Sequence, residues 1–176
     1  MNAVADAVSA EARAAFERGV ELLQREAMYL DLRQWDEWLA LFHESCEYHV
    51  PMWRTADEMN EDPHAELSHL YYGNRKGLED RILRIRSGRS PASTPMPRTS
   101  HIVGGVVALD PPEPDRLRLH SSWTCQVFFP RQLVQHAYFG HSEHLLERSE
   151  GQWLIRKKKV ALLNDYIPSM LDVYCI

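Results

Sequence analysis

The sequence predicts an α+β fold in which N-terminal helices pack on a curved, mainly antiparallel sheet. Two observations indicate this fold: apolar residues recur at helical spacing in the first 42 residues, and from residue 101 onward apolar and polar residues alternate in stretches separated by short turns. Helices followed by a run of strands are typical of an α+β domain, not of alternating strand–helix units. We therefore expect the strands to form a meander whose apolar face the helices cover, giving a cone with a pocket inside.

The chain of 176 residues predicts one domain spanning residues 1–176, with a flexible arm at 1–15 and an apolar C-terminal tail at 164–176. Its 20 basic and 25 acidic side chains give a net charge of −5, which disfavours nucleic acid as a partner. No apolar run reaches the roughly 18–20 residues that span a bilayer, and no secretory signal is visible. Three cysteines without a CxxC motif are typical of a reduced setting, so we expect a cytoplasmic protein.

Two helices are predicted first. The longer one has an apolar stripe with spacings of four, three, four and three residues: Phe16, Val20, Leu23, Ala27 and Leu30. A shorter helix follows, with Trp35, Leu39 and Phe42 on one face. Asp31 is expected to cap this second helix, with Gln34 three residues later as in a capping box.

A short strand is predicted at 46–52, where apolar and polar residues alternate until Pro51 ends the pairing. The acid-rich stretch 53–66 is predicted to be an exposed loop, and 67–72 another short strand. A third helix is expected to begin near Gly77. Its apolar stripe comprises Leu78, Ile82 and Ile85.

The second half of the chain is predicted to be strands and turns. Residues 87–99 contain three prolines and are expected to form a surface loop. The predicted strands then follow at 101–109, 117–129, 133–148 and 152–163. The second of them alternates over thirteen residues, so Trp123 is expected to face the core.

Nine histidines raise the question of a metal site, and the densest group comprises His136, His141 and His144. On one strand, His141 would face away from the other two and beside Glu143, so all three cannot easily reach one ion. A metalloprotein built on these histidines is therefore only a third hypothesis.

Cofactor motifs are absent from the sequence. The spacing of Cys46 and His49 matches one half of a Rieske ligand set, C-x2-H, but the other half, C-x-H, is missing. The glycine-rich nucleotide motifs and the nucleophile elbow are missing as well. The favoured interpretation therefore places no catalytic residue, no cofactor-binding residue and no metal ligand on this chain.

Acid–base chemistry is the main alternative. Asp36 lies in the second predicted helix, and His101 and His120 lie on strands that could line the cone. A carboxylate and two imidazoles inside an apolar cone would have shifted pKa values and could move protons. The alternative function is therefore a free-standing acid–base enzyme that uses these three side chains.

Two segments have the composition of subunit contacts, in which tyrosine and arginine are enriched. The candidates of the first segment are Tyr71, Tyr72, Asn74, Arg75, Arg81, Arg84 and Arg98, with Arg86 and Arg89 nearby. An ordinary solvated helix face is the alternative for that segment. The second segment is the C-terminal tail, with Tyr166 and Tyr174, which would fray unless the core or a partner covers it.

Five segments resemble the small (β) subunits of aromatic-ring-hydroxylating dioxygenases, which are Rieske non-haem iron oxygenases. They are Tyr29–Phe42, Tyr48–Trp53, Tyr71–Arg86, Arg98–His101 and Arg156–Lys159. The central block, YYGNRKGLEDRILRIR, is the most specific, whereas the opening WD-W-LALF pattern also occurs in related cone-shaped families. The resemblance covers most of the chain and is strongest to subunits of the benzoate and anthranilate type.

The resemblance implies a nuclear-transport-factor-2-like (NTF2-like), or cystatin-like, cone. It implies a larger α subunit that carries a Rieske [2Fe–2S] cluster and a mononuclear Fe(II), in an α3β3 hexamer with β–β contacts. The complex would add both atoms of O2 to an aromatic ring, expected here to be carboxylated, as a cis-diol, with electrons from NADH delivered by a reductase or ferredoxin. The β subunit would be mainly structural, and no family catalytic residue carries over to this chain. Because dehydratases and isomerases share the fold, Asp36, His101 and His120 remain the alternative set.

Overall fold

The computed structural model describes residues 2–88, 94–111, 113–168 and 171–176. Within these residues the chain forms helices and one mixed sheet, so the predicted α+β class is confirmed. The elements are α1 (Asn2–Asp31), α2 (Trp35–Ala40), β1 (Phe42–Pro51), β2 (Ser68–Tyr72), α3 (Arg75–Arg86), β3 (Arg98–Ala108), β4 (Arg116–Phe129), β5 (Val134–Ser149), β6 (Gln152–Leu162) and a 3₁₀ turn (Val173–Cys175). No helix in these ranges is both long and apolar enough to span a membrane.

The six strands form one sheet in the order β2-β1-β6-β5-β4-β3. Strands β3 to β6 are a continuous antiparallel meander, as predicted, and β2 pairs antiparallel with β1. The pairing of β1 with β6 is parallel. This parallel pair joins the first and last strands, and it brings the early helices over the concave face of the meander.

Buried and solvent-accessible side chains alternate along β4, and this alternation shows where the core lies. Its odd-numbered residues from Leu117 to Phe129 are buried, and Trp123 is 7% exposed, as predicted. Helix α1 covers this face and lies close to it at Gly19. A Cβ at Gly19 would lie 2.6 Å from a methyl carbon of Leu117 and 2.8 Å from one of Leu119. The absence of a side chain at Gly19 therefore lets the helix sit directly on the leucines of β4.

The chain between α1 and β1 departs from the prediction. Gln34 is the N-cap of α2 and makes no side-chain cap bond. Asp31 is the last residue of α1 and accepts hydrogen bonds from the side chain of Thr99 and from His101 instead. The predicted capping box is therefore wrong, because β3 passes the end of α1 and offers Asp31 stronger donors. Phe42 is the first residue of β1 and not part of α2.

The end of the chain is part of the core. Leu171 to Ile176 are buried, and Asp172 is fully buried against Arg81 of α3. The Arg81 guanidinium donates to both carboxylate oxygens of Asp172, with Nε 2.8 Å from Oδ1. The sequence left open whether the core or a partner buries the C-terminal tail. Residues 171–176 are buried by the core of the chain itself.

Candidate functional site

Helix α1 and the concave face of the sheet enclose a narrow cavity. Its volume is ≈ 20 Å³, and its walls include Leu23, Leu30, Trp123 and Ile176 together with polar side chains. A cavity of about 10–15 Å³ is enough for one water, whereas small-molecule sites have volumes of about 300–1,000 Å³. The pocket expected inside the cone therefore exists, but it has no room for an aromatic ring.

His101 and Asp31 form a locked pair at one side of this cavity. The Nδ1–H of His101 donates to Oδ1 of Asp31 at 2.6 Å, and the backbone N–H of His101 donates to Oδ2 at 2.8 Å. Thr99 donates its hydroxyl to Oδ1 at 2.8 Å. Burial alone would raise the pKa of Asp31, but the hydrogen bonds from His101 and Thr99 lower it. The carboxylate thus stays ionised and fixes the orientation of the imidazole, whose side chain is 3% exposed.

A second buried group lies at the other side of the cavity. Lys158 donates to Oε1 of Glu26 at 2.8 Å, and Nε2 of His144 lies 3.3 Å from Oε2. The Lys158 ammonium also lies 5.3 Å from the ring centre of Tyr48. Burial alone would raise the pKa of Glu26, but Lys158 and His144 lower it to about 2. Burial lowers the pKa of His144, so the group at neutral pH is an ion pair with a neutral imidazole.

The buried ion pair of Glu26 with Lys158 was not predicted from the sequence. Glu26 lies three residues after Leu23, and therefore on the apolar face of α1. Lys158 is the middle of three consecutive lysines. It lies two and four residues before the buried Val160 and Leu162, and therefore on the same face of β6. A charged residue on the apolar face of each element was the signal that could have found this pair.

The acid–base alternative is contradicted by the structure. Asp36 is 76% exposed and binds Arg86 at 2.8 Å on the surface. His120 lies on the outer face of β4, where its ring centre is 5.1 Å from that of His141. Of the three proposed side chains, His101 is the one that lines the cavity. The three side chains therefore do not meet in one site. Asp36 lies on the exposed face of α2, and His120 lies on the face of β4 that points away from the cavity.

The histidines of β5 do not share a site either. His136 packs against the ring of Phe129, His141 lies on the outer face near Ser122, and His144 is buried with Glu26. Within the described ranges, no group of three or more His, Cys, Asp or Glu side chains is arranged to hold a metal ion. The metal hypothesis therefore has no ligand set in this part of the chain.

The three cysteines are buried and free. Burial raises the pKa of the Cys46 thiol to about 11 and that of Cys175 to about 12, and it also raises the pKa of Cys125. All three thiols therefore stay protonated at neutral pH, and none is an activated nucleophile.

Several contact candidates have structural roles within the chain. Asn74 caps α3 by accepting from the N–H of Gly77 at 3.1 Å. Arg75 donates to the carbonyl of Phe42 at 3.2 Å, which ties α3 to β1. Two further tyrosines and one arginine are directed into the molecule: Tyr72 packs on Tyr48, Tyr174 is 2% exposed, and Arg81 binds Asp172.

The remaining contact candidates are accessible from outside. Tyr166 is 78% exposed, and Arg84 and Arg98 are exposed. The Arg98 guanidinium lies 5.8 Å from the ring centre of Phe128 on the outer side of the sheet. Tyr71 is half-buried and hydrogen-bonds to His64 at 3.3 Å. Arg89 lies outside the described residues.

The sequence comparisons with known proteins give one family. The sequence profile described as "Ring hydroxylating beta subunit" matches residues 25–169. The small subunit of 2-halobenzoate 1,2-dioxygenase from Burkholderia cepacia is 41% identical over 88% of this chain and 92% of its own length. The beta subunit of toluate 1,2-dioxygenase from Pseudomonas putida is 38% identical over 88% and 93%. The crystal structure of the beta subunit of benzoate 1,2-dioxygenase from Burkholderia mallei matches with a TM-score of 0.72 and 31% identity, over 89% of this chain and 93% of that one.

Proposed function

The chain belongs to the family of ring-hydroxylating dioxygenase beta subunits, and from this membership we propose that it is the structural subunit of an oxygenase whose catalytic centres lie on a larger α subunit. The observation that carries the proposal is the 41% identity to a dioxygenase small subunit over nearly the whole length of both chains. The interior of this chain supports it, because a cavity of ≈ 20 Å³ cannot hold an aromatic substrate.

The proposed substrate is a carboxylated aromatic ring. The relatives are named as dioxygenases of 2-halobenzoate, toluate, anthranilate and benzoate, all of which carry a carboxylate on the ring. The reaction would give a cis-diol from O2 with electrons from NADH, delivered by a reductase or ferredoxin. A Rieske [2Fe–2S] cluster and a mononuclear Fe(II) on the α subunit would supply the redox chemistry. The residues of this chain would position the partner and take no part in bond making.

The proposed assembly is an α3β3 hexamer in the cytoplasm, with this chain as one domain of residues 1–176. Its accessible contact candidates are Tyr71, Arg84, Arg98 and Tyr166. Exposed tyrosine and arginine side chains are the types that contribute most to interfaces. Residues 2–15, which form the start of α1, and the exposed part of the tail at 164–168 are further proposed contact segments.

The proposal is tested by producing the chain alone and together with a candidate large subunit that carries the C-x-H and C-x2-H ligand spacings of a Rieske cluster. We expect the chain alone to contain no stoichiometric iron and to leave benzoate-type acids unchanged in the presence of the reductase and NADH. We expect the co-produced proteins to purify as one complex that contains iron and consumes O2 with these acids. A chain that turns over substrate alone, or that never associates with the large subunit, would overturn the proposal.

The contact surface is tested with a matched pair of arginine variants. Arg98 pairs with Phe128 near the end of β4, whereas Arg116 is exposed at the other end of the same strand. We expect Arg98→Ala to weaken association with the large subunit at unchanged thermal stability and Arg116→Ala to leave association unchanged. Equal association of both variants and the parent chain would remove Arg98 from the contact surface.

A further inference from the structure

The outer face of the sheet is open to solvent on β3, β4 and β5, and its side chains lie in rows that run across the strands. Three adjacent rows occupy the middle of these strands: Ser100, Gln126 and Ala137; Ile102, Thr124, Phe139 and Leu163; and Gly104, Ser122, His141 and Ala161. None of these side chains is Asp, Glu, Lys or Arg, although these four types make up 26% of the chain. We call these three rows the uncharged face.

The uncharged face has a ridge of large apolar side chains between two furrows. Ile102, Phe139 and Leu163 form the ridge and are 65%, 46% and 41% exposed. Small side chains lie on both sides of it, such as Gly104 in one flanking row and Ala137 in the other. Facing sheets pack about 10 Å apart with their side chains interdigitated. The ridge of one such face can therefore pack into the furrow of another face of the same shape.

Charged side chains begin in the rows beyond the uncharged face. On one side, Glu143 pairs with Lys159 of β6 in the register, and its Oε2 lies 3.8 Å from Nη2 of Arg118. On the other side, the Arg98 guanidinium lies over the ring of Phe128. An apolar centre with few charges and a polar rim is the usual anatomy of a protein interface.

The size of the uncharged face is that of an interface centre. Four strands and three rows at the usual spacings cover roughly 400 Å². One partner contributes about 800 Å² to a standard interface, so the face supplies about half of that area and the rim supplies the rest. Exposed apolar patches of about 300–600 Å² on a soluble chain are often functional.

The edge of the sheet beside this face is unsuited to pairing with another strand. Strand β3 is an edge strand and has no charged side chain from Thr99 to Ala108. Such edges are protected by charged side chains or by bulges. Here a bulge lies between Gly104 and Val107, and Gly105 within it has a φ of +60°. Because the bulge interrupts the edge, the face and not the edge offers a continuous contact.

We propose that the uncharged face is a contact surface between copies of this chain, with the ridge of one copy packed on the small side chains of the next. The net charge of −5 makes copies repel one another, and this repulsion is weakest where neither surface carries a charge. The inference rests on the proposed function, because it assigns a surface to the β–β contacts of the proposed assembly.

The test is sedimentation velocity of the full-length chain without the large subunit, at micromolar concentrations. We expect the parent chain to sediment as an oligomer. Phe139→Glu should raise the dissociation constant of this oligomer at least about a hundredfold, because it buries a carboxylate in an apolar contact. Ile102→Glu is a second variant of the same face, on the edge strand, where a substitution disturbs the fold least.

Leu83→Glu is the matched control, because Leu83 is 69% exposed on α3 and lies outside the uncharged face. It should associate like the parent chain. Far-UV circular dichroism verifies that each variant is folded.

A monomeric parent chain would overturn the proposal, and loss of large-subunit binding by Phe139→Glu in that case would assign the face to the large subunit instead. Parent-like association of Phe139→Glu and Ile102→Glu, or an equal loss of association in Leu83→Glu, would overturn it as well. The proposed function fails by a different result, which is a chain that associates with itself but never with an iron-containing large subunit.

Discussion

At the scale of single residues, the pKa values of the buried group predict how stability depends on pH. Glu26 has a folded-state pKa of about 2, below its ordinary value of 4.5, because Lys158 and His144 outweigh the effect of burial. Burial also lowers the pKa of His144 below 6.5. Both groups bind fewer protons in the folded than in the unfolded state. The stability they contribute is therefore complete above about pH 6.5 and is lost as the pH falls toward 2.

We expect the free energy of unfolding of the chain to fall in two stages on acidification. The first stage begins below about pH 6.5 with His144, and the second begins below about pH 5 with Glu26. Urea unfolding curves between pH 3 and pH 8 measure it. The Glu26→Gln variant should show a smaller second stage, with the remainder coming from other carboxylates whose pKa is lowered, such as Asp31. An unchanged profile in this variant would contradict the assignment.

Lys158→Met is expected to lower the free energy of unfolding by about 3–5 kcal/mol, because it leaves the Glu26 carboxylate buried without its cation. The double variant Glu26→Met with Lys158→Met removes both charges and should be more stable than the single Lys158 variant. A double-mutant cycle in urea measures the coupling between the two side chains. Additive effects would show that the pair does not interact.

At the scale of elements, Gly140 sets how closely β5 and β6 can approach. A Cβ at Gly140 would overlap the backbone carbonyl of Ala161, which cannot move away as a flexible side chain could. We therefore expect Gly140→Ala to lower the free energy of unfolding by about 1–3 kcal/mol or more, the usual cost of overpacking. Gly104→Ala is the control, because its Cβ would have no atom within 4 Å. Equal stability of the two variants by urea unfolding would contradict this explanation.

The link between α3 and the C-terminal segment is a second element-scale prediction. Asp172 is fully buried and binds Arg81, so Asp172→Asn should cost about 3 kcal/mol. Asp80→Asn is the control on the same helix, because Asp80 is 62% exposed and binds Lys76 at 3.0 Å. An exposed pair of that kind contributes about 0–1 kcal/mol. Thermal unfolding measures both, and similar losses would rule out a special role for the buried pair.

The elements were predictable from the sequence to the extent that local patterns determine them. The alternation of β4 and the stripe of α3 are local, and both were placed within a few residues of their observed bounds. The interior of the cone was not predictable, because Glu26 meets Lys158 across 132 residues. Asp31 likewise meets His101 only because β3 passes the end of α1. Those pairings depend on the parallel contact of β1 with β6 and on the order of the strands, which no short-range pattern reports.

At the scale of the whole molecule, two kinds of damage to assembly can be separated. Residues 171–176 complete the core and close the cone, so their loss should unfold the chain before any interface forms. Tyr166 is 78% exposed, so its side chain contributes little to the fold and is available to a partner. The two changes therefore act at different steps, folding in one case and docking in the other.

We expect deletion of 171–176 to abolish the cooperative thermal transition of the chain and, with it, the iron-containing complex and its O2 consumption. We expect Tyr166→Ala to keep the transition temperature of the parent chain within about 2 °C, because an exposed substitution of this kind changes stability by about 0.5 kcal/mol or less. The same variant should weaken the complex with the large subunit. Calorimetry of the chain alone and size-exclusion chromatography of the co-produced proteins measure the two steps separately. A deletion variant that still folds would contradict the role of the tail in the core, and a Tyr166 variant that assembles normally would confine the interface to the other exposed candidates.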